Sequence, residues 1–190
     1  MKKILVISLL LMGCMPQNVC TPFRMEQISY PKEPTFKNGM QLIKTTKVSR
    51  GTAFYVKHEG LVYLVTATHV LEEGWAVVGD IPTLGEGKTF GDDGSAFLVK
   101  GTPNSKIWQI NSPKIGEPCI AAGYTMSGVY KEISGIVTAK EYMSINVEHG
   151  MSGGPVIQNG KVIGVISARI KDIGLSKFTP LMGITYEKDN

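Results

Sequence analysis

Gly150-Met151-Ser152-Gly153-Gly154-Pro155 places a serine in a glycine-rich turn, just ahead of the apolar pair Val156-Ile157. That pattern suits a nucleophile. Glycines reach backbone angles that a Cβ forbids and let a substrate lie close to the main chain. The amides of Gly150 and Ser152 can then aim at one point and stabilise an oxyanion. A free serine hydroxyl is a poor nucleophile near neutral pH and needs a base beside it. Tyr63-Leu64-Val65-Thr66-Ala67-Thr68-His69-Val70 offers one, with His69 at the end of an apolar run. The chain has three histidines. His58, in Lys57-His58-Glu59-Gly60, reads as a solvated hairpin turn, and His149 directly precedes the serine turn.

The elements that must position these residues are short strands. Alternation and turn signals predict strands over 41–46, 51–56, 61–67, 75–78, 96–100, 107–110, 119–123, 132–140, 144–147, 154–157, 162–168 and 180–186. Only Val70-Leu71-Glu72-Glu73 looks briefly helical. Twenty-two glycines and ten prolines separate the runs. Asn159-Gly160 is a two-residue hairpin signal between Ile157 and Val162. Many short strands without an amphipathic helix imply an all-β protein built as closed barrels or a sandwich.

Composition narrows the function. The chain has 190 residues, 43% hydrophobic and 19% charged, with a formal charge of +4. That is enough for one sizeable domain or two small packed barrels. No basic stripe or aromatic platform points to nucleic acid. No metal-ligand spacing is visible, and neither metal nor organic cofactor is expected.

Gly-Met-Ser-Gly-Gly-Pro-Val-Ile, the Asn-Gly turn and the returning Lys161-Val162-Ile163-Gly164-Val165, together with Thr66-Ala67-Thr68-His69, resemble the chymotrypsin-like serine proteases. The likeness is greatest to the trypsin-like branch that includes the HtrA/Deg proteases, and their PDZ domain is not expected here. The resemblance implies two packed six-stranded antiparallel β-barrels with the site in the cleft between them. It implies Ser152 as nucleophile, His69 as general base, and Gly150 with Ser152 as the oxyanion hole. The family's third residue is an aspartate ahead of a strand, as Asp-x-Ala followed by two apolar residues. In Gly91-Asp92-Asp93-Gly94-Ser95-Ala96-Phe97-Leu98, aligning Ala96 puts that position on Gly94. A one-residue bulge at the strand start would bring in Asp93. Asp93 is the expected third member, with Asp92 next and Asp80 a distant third.

Met151 stands where the digestive-type enzymes carry an aspartate that pairs with a new N-terminus after zymogen cleavage. Activation by that route is therefore not expected. By the same analogy, Asn146 lies near the base of the primary pocket and Ile145 to His149 form a wall. Ser167 and Ala168 would pair with substrate as an added strand. With no acidic residue at the pocket base, a Lys or Arg preference is disfavoured. His149 and Asn146 could receive a polar or acidic side chain, and a small apolar preference is equally compatible.

The N-terminus reads as an export signal. Met1-Lys2-Lys3 is positive, and Ile4 to Met12 is apolar but too short for a permanent span. Leu11-Met12-Gly13-Cys14 resembles the lipobox of bacterial lipoproteins, with cleavage before Cys14 and acylation on it. Removing Lys2 and Lys3 lowers the charge from +4 to about +2. The domain reading is a signal peptide over 1–13, a tether or extension over 14–38, and a protease domain over 39–190. Cys20 and Cys119 could form a disulfide, or Cys119 could be a buried free thiol. In a host with two membranes, Met15 after the modified cysteine resembles the default for outer-membrane sorting. The expectation is thus an extracytoplasmic, lipid-anchored serine endopeptidase, monomeric, acting on a protein or peptide. The alternatives are an inactive protease-fold binding module and an acyl hydrolase using the same residues.

Overall fold

The computed structural model describes residues 23–29, 35–37, 40–42, 47–71, 76–78, 84–103 and 105–184. The expected signal segment, Cys14, Cys20 and Asp80 lie outside them. The described residues form fifteen strands: β1 Phe23–Ser29, β2 Thr35–Lys37, β3 Met40–Leu42, β4 Lys47–His58, β5 Leu61–Ala67, β6 Ala76–Val78, β7 Leu84–Phe90, β8 Gly94–Val99, β9 Ile107–Gln109, β10 Pro118–Tyr124, β11 Tyr130–Ala139, β12 Tyr142–Met143, β13 Pro155–Gln158, β14 Lys161–Ile170 and β15 Leu175–Pro180. Helical structure among the described residues is confined to short 3-10 turns, one of them Thr68–Leu71.

The second half is a closed barrel in the order β10-β11-β12-β15-β14-β13. The first half is a seven-stranded sheet in the order β6-β1-β4-β5-β8-β7, with β9 added parallel to β4. The all-β class and the six-stranded second barrel follow the expectation. The first half differs: among the described residues no ladder joins its ends, β6 and β7. The long strand β4 changes partner midway. Its first part pairs with β1, from Ser29↔Lys47 to Phe23↔Ala53. Its second part pairs with β5 on one edge and β9 on the other. The segment expected as a tether or extension therefore contributes a strand to the first sheet. Flanking prolines at 22 and 31 hide this short run from a reading of turn signals.

Local sequence explains the hairpins. Glu59 and Gly60 both have positive φ, as do Asn159 and Gly160. Two left-handed residues give the type I′ twist that matches adjacent strands. Strand β14 has both faces covered. Its Val162 and Val165 join the first core, with Phe54, Tyr63, Leu64 and Trp108, while Ile163 and Ile166 enter the barrel core with Val137, Met143 and Phe178. A strand buried on both faces reads as a near-continuous apolar run, as Val162 to Ile166 does. The segment after β9 ties the halves, since Asn111 N–H donates to Val162 O at 2.9 Å.

Candidate active site

His69 sits in the 3-10 turn that follows β5, and Asp93 in the tight turn between β7 and β8. Strand β8 runs beside β5 in unbroken register, from Ala67↔Gly94 to Tyr63↔Leu98. The turns that end β5 and begin β8 are therefore neighbours. Thr68 N–H donates to Asp93 O at 3.0 Å, and the Thr68 and Ser95 hydroxyls bond at 2.9 Å. Asp93 then holds His69 twice. Oδ1 accepts the His69 backbone N–H at 3.0 Å, and Oδ2 lies 2.7 Å from Nδ1. An ionised carboxylate only accepts, so Nδ1 carries the proton and a neutral ring keeps its lone pair on Nε2.

The bulge expected at the start of β8 is absent. The register shift of this hairpin lies in β7, between Leu84 and Gly87. Asp93 reaches His69 because it is the last residue of the turn. Asp92 points elsewhere and ion-pairs with Lys177 of β15 at 2.6 Å. The Lys177 ammonium, through that hydrogen bond, holds the Asp92 carboxyl below its ordinary range, and Asp92 raises Lys177 in return.

Ser152 lies in the turn entering β13. Gly150 has φ +95°, and a Cβ there would come within 2.5 Å of Thr125 C and Met126 N. Only glycine fits both the angle and the approach. Gly153, at φ +82°, leaves no room for a Cβ against Thr52 O and Thr66 Oγ1. Four successive carbonyls of the turn are engaged. His149 O accepts from Met126 N–H at 2.8 Å, and Gly150 O from the Thr52 hydroxyl at 3.1 Å. Met151 O accepts from Gly154 N–H at 2.9 Å, and Ser152 O from Thr52 N–H at 2.8 Å. In a trans peptide the N–H points away from the C=O. The N–H groups of Gly150 and Ser152 therefore lie opposite the engaged His149 O and Met151 O. Neither donates to another described group.

Met151 is fully buried among the barrel residues, with Sδ 3.5 Å from Glu148 N. Burying such a side chain contributes about 1.5–3 kcal/mol. The turn is thus anchored by packing where an aspartate would need an ionic partner.

Ser152, Gly150, His69, Val70, His149, Met126 and Arg50 line one cleft. A second, lined by Thr125, Met126, Ser127, Glu148, His149 and Arg169, shares His149 and Met126 with it. Of the expected substrate contacts, His149 lines both clefts. Asn146 lines neither and is exposed, because the alternation here buries Ile145 and Val147 and turns residue 146 outward. Behind that wall the buried Ser176 hydroxyl donates to Ile145 O at 2.6 Å and accepts from Val147 N–H at 3.3 Å. Ser167 is buried with its hydroxyl 2.7 Å from Thr179 Oγ1, and Ala168 is exposed. The ladder of β14 toward β13 ends in the Gly153–Ile166 and Ile166–Gly154 bonds. Past Ile166, β14 pairs with β15 alone among the described residues. Thr52, Met126 and Ser176 carry no motif, and the sequence offers no local signal for them.

No family model and no curated protein matches this chain. Among solved structures, the active form of the Rv3671c protease from M. tuberculosis is similar at 21% identity, with a TM-score of 0.60, over 87% of this chain and 78% of that one. The serine endoprotease from Yersinia pestis is similar at 18% identity and a TM-score of 0.57, over 85% of this chain and 59% of that one. These likenesses establish a protease fold of the chymotrypsin-like type.

Proposed function

We propose that the chain is a serine endopeptidase of the HtrA/Deg-like kind. The observation that carries this reading is the Asp93–His69 hydrogen bond at a cleft that His69 lines together with Ser152 and Gly150. Ser152 Oγ attacks the scissile carbonyl while His69 Nε2 takes its proton. Asp93 stabilises the imidazolium, and the Gly150 and Ser152 amides receive the oxyanion. The C–N bond breaks as His69 protonates the leaving amine, leaving an acyl group on Ser152. Water, deprotonated by His69, then releases the acid and restores the hydroxyl. An extended substrate pairs with the free edge of β14 beyond Ile166. The reading includes export and a lipid anchor on Cys14, supported by the Met1–Cys14 pattern.

The test is labelling with a fluorophosphonate probe, read by intact mass, wild type beside Ser152→Ala. One adduct on wild type and none on the variant supports the enzyme. No adduct on a folded wild type puts the binding-module reading first. For the anchor, Cys14→Ser should abolish acylation and release the protein from membranes. Unchanged processing and membrane association would refute it.

A further inference from the structure

The serine turn is gripped by a residue from the other half of the molecule. Thr52, on β4 of the first sheet, is fully buried. Its N–H donates to Ser152 O at 2.8 Å. Its hydroxyl lies 3.1 Å from Gly150 O and 2.9 Å from Tyr124 N. A carbonyl only accepts and an amide N–H only donates, so the hydroxyl proton goes to Gly150 O and a lone pair takes Tyr124 N–H. Its rotor is therefore fixed. A Cβ on Gly123 would lie 2.9 Å from Thr52 Oγ1 and 3.1 Å from Met151 Cα, so that glycine gives hydroxyl and turn the space to meet.

These bonds bracket the Gly150 and Ser152 N–H groups. Thr52 holds the carbonyls of Gly150 and Ser152, and so fixes the planes of the two peptides that follow those residues. Tyr124 N–H fastens the same hydroxyl to β10. Two residues on, Met126 N–H fastens His149 O, the carbonyl of the peptide that carries the Gly150 N–H. The buried Met151 cannot supply the ionic anchor of an aspartate at its position.

We propose that Thr52 is a positioning residue for oxyanion stabilisation, its hydroxyl holding Gly150 so that the Gly150 and Ser152 amides converge. The inference rests on the serine-protease reading and deepens it. Thr52 touches no substrate, so its loss is felt as a donor shifted out of line.

The test compares Thr52→Val, which keeps shape and N–H but removes the hydroxyl, with Thr52→Ser, which keeps both bonds. Thr52→Val should lower kcat about 10- to 100-fold, less than the 10²–10³ lost with an oxyanion donor itself. KM should change little, since ground-state contacts are intact. Fluorophosphonate labelling should slow in parallel, and binding of a peptide boronate, which mimics the tetrahedral state, should weaken by a similar factor. Thr52→Ser should recover most of the rate. Thermal unfolding checks that each variant is folded. If Thr52→Val does not fold, Thr52→Cys carries the same expectation, because a thiol is a weak donor. A labelled wild type beside a folded Thr52→Val with unchanged kcat and labelling overturns the inference and leaves the protease reading standing. A folded wild type that takes no label overturns both.

Discussion

Asp93 grips His69 at two points, the backbone N–H at 3.0 Å through Oδ1 and the ring Nδ1 at 2.7 Å through Oδ2. One carboxylate therefore sets both the position of the residue and the tautomer of its ring. Asparagine would keep the shape but present an amide that can force the wrong tautomer. Asp93→Asn should lower kcat by about 10⁴. Asp92→Asn removes an exposed pair with Lys177 and should change kcat by no more than about a few-fold. Steady-state kinetics on one peptide substrate decides. Equal, small effects of both would remove Asp93 from the mechanism.

Two glycines with positive φ separate strain from collision. At Gly160, φ is +73° and a Cβ meets nothing within 4 Å. Gly160→Ala should cost about 1–2 kcal/mol and leave labelling intact. At Gly150 the backbone of 125–126 also stands in the way. Gly150→Ala should cost more, lowering Tm by about 2–4 °C per kcal/mol, and should abolish fluorophosphonate labelling. Thermal unfolding and intact mass on both variants read the contrast. Normal labelling of Gly150→Ala would mean that the turn is not needed in this form.

The cleft beside Ser152 has an uneven charge balance. Glu148 is engaged by Lys131 at 2.6 Å, whereas Arg169 has no ion-pair partner among the described residues. Peptides with an acidic side chain near the cut should be preferred. Arg169→Gln should lower kcat/KM for them a few-fold, in line with about 1 kcal/mol or less per exposed pair. The expected signature is a loss that fades with salt and spares neutral peptides. Equal losses on neutral and acidic peptides would remove charge as the cause.

Cys119 is free and buried, and burial pushes its thiol up from 9.0 to about 11. Below pH 9 the thiol is neutral whether the chain is folded or not. Between about pH 9 and 11 the unfolded chain sheds this proton and the folded chain keeps it, so stability falls as pH rises. Denaturant unfolding of wild type and Cys119→Ala should show the wild-type advantage shrinking across that window. A constant difference would contradict the burial effect. Native Cys119 should also resist iodoacetamide at pH 8 and react once unfolded.

How far the sequence could be read depended on whether a residue's meaning is local. Ser152 and His69 were legible because their neighbours within a few positions carry the pattern. Asp93, expected ahead of Asp92, is the carboxylate that bonds His69, and the turn brings it there where a bulge was expected. Strand β7 was missed because Gly85-Glu86-Gly87 reads as a turn. The apparent strand at 144–147 is irregular, its alternation reflecting burial of Ile145 and Val147 and not a ladder. The last strand among the described residues is Leu175–Pro180, and of the expected 180–186 residues 181–183 form a 3-10 turn while 185 and 186 lie outside the described residues. Thr52 could not be found at all, because its partners Gly150 and Tyr124 are 98 and 72 residues away.

Those same separations decide when in folding the site comes into being. A hydrogen bond between residues 52 and 150 closes a separation of 98 residues, and such closures come late, after local hairpins such as β4–β5 and β13–β14 have formed. During refolding, fluorescence from the buried Trp108 should recover before Ser152 accepts a fluorophosphonate. A nascent or half-folded chain carries Ser152 and His69 without the contacts that join the two halves around them. On the serine-protease reading, latency is a property of topology, released only when the two halves dock.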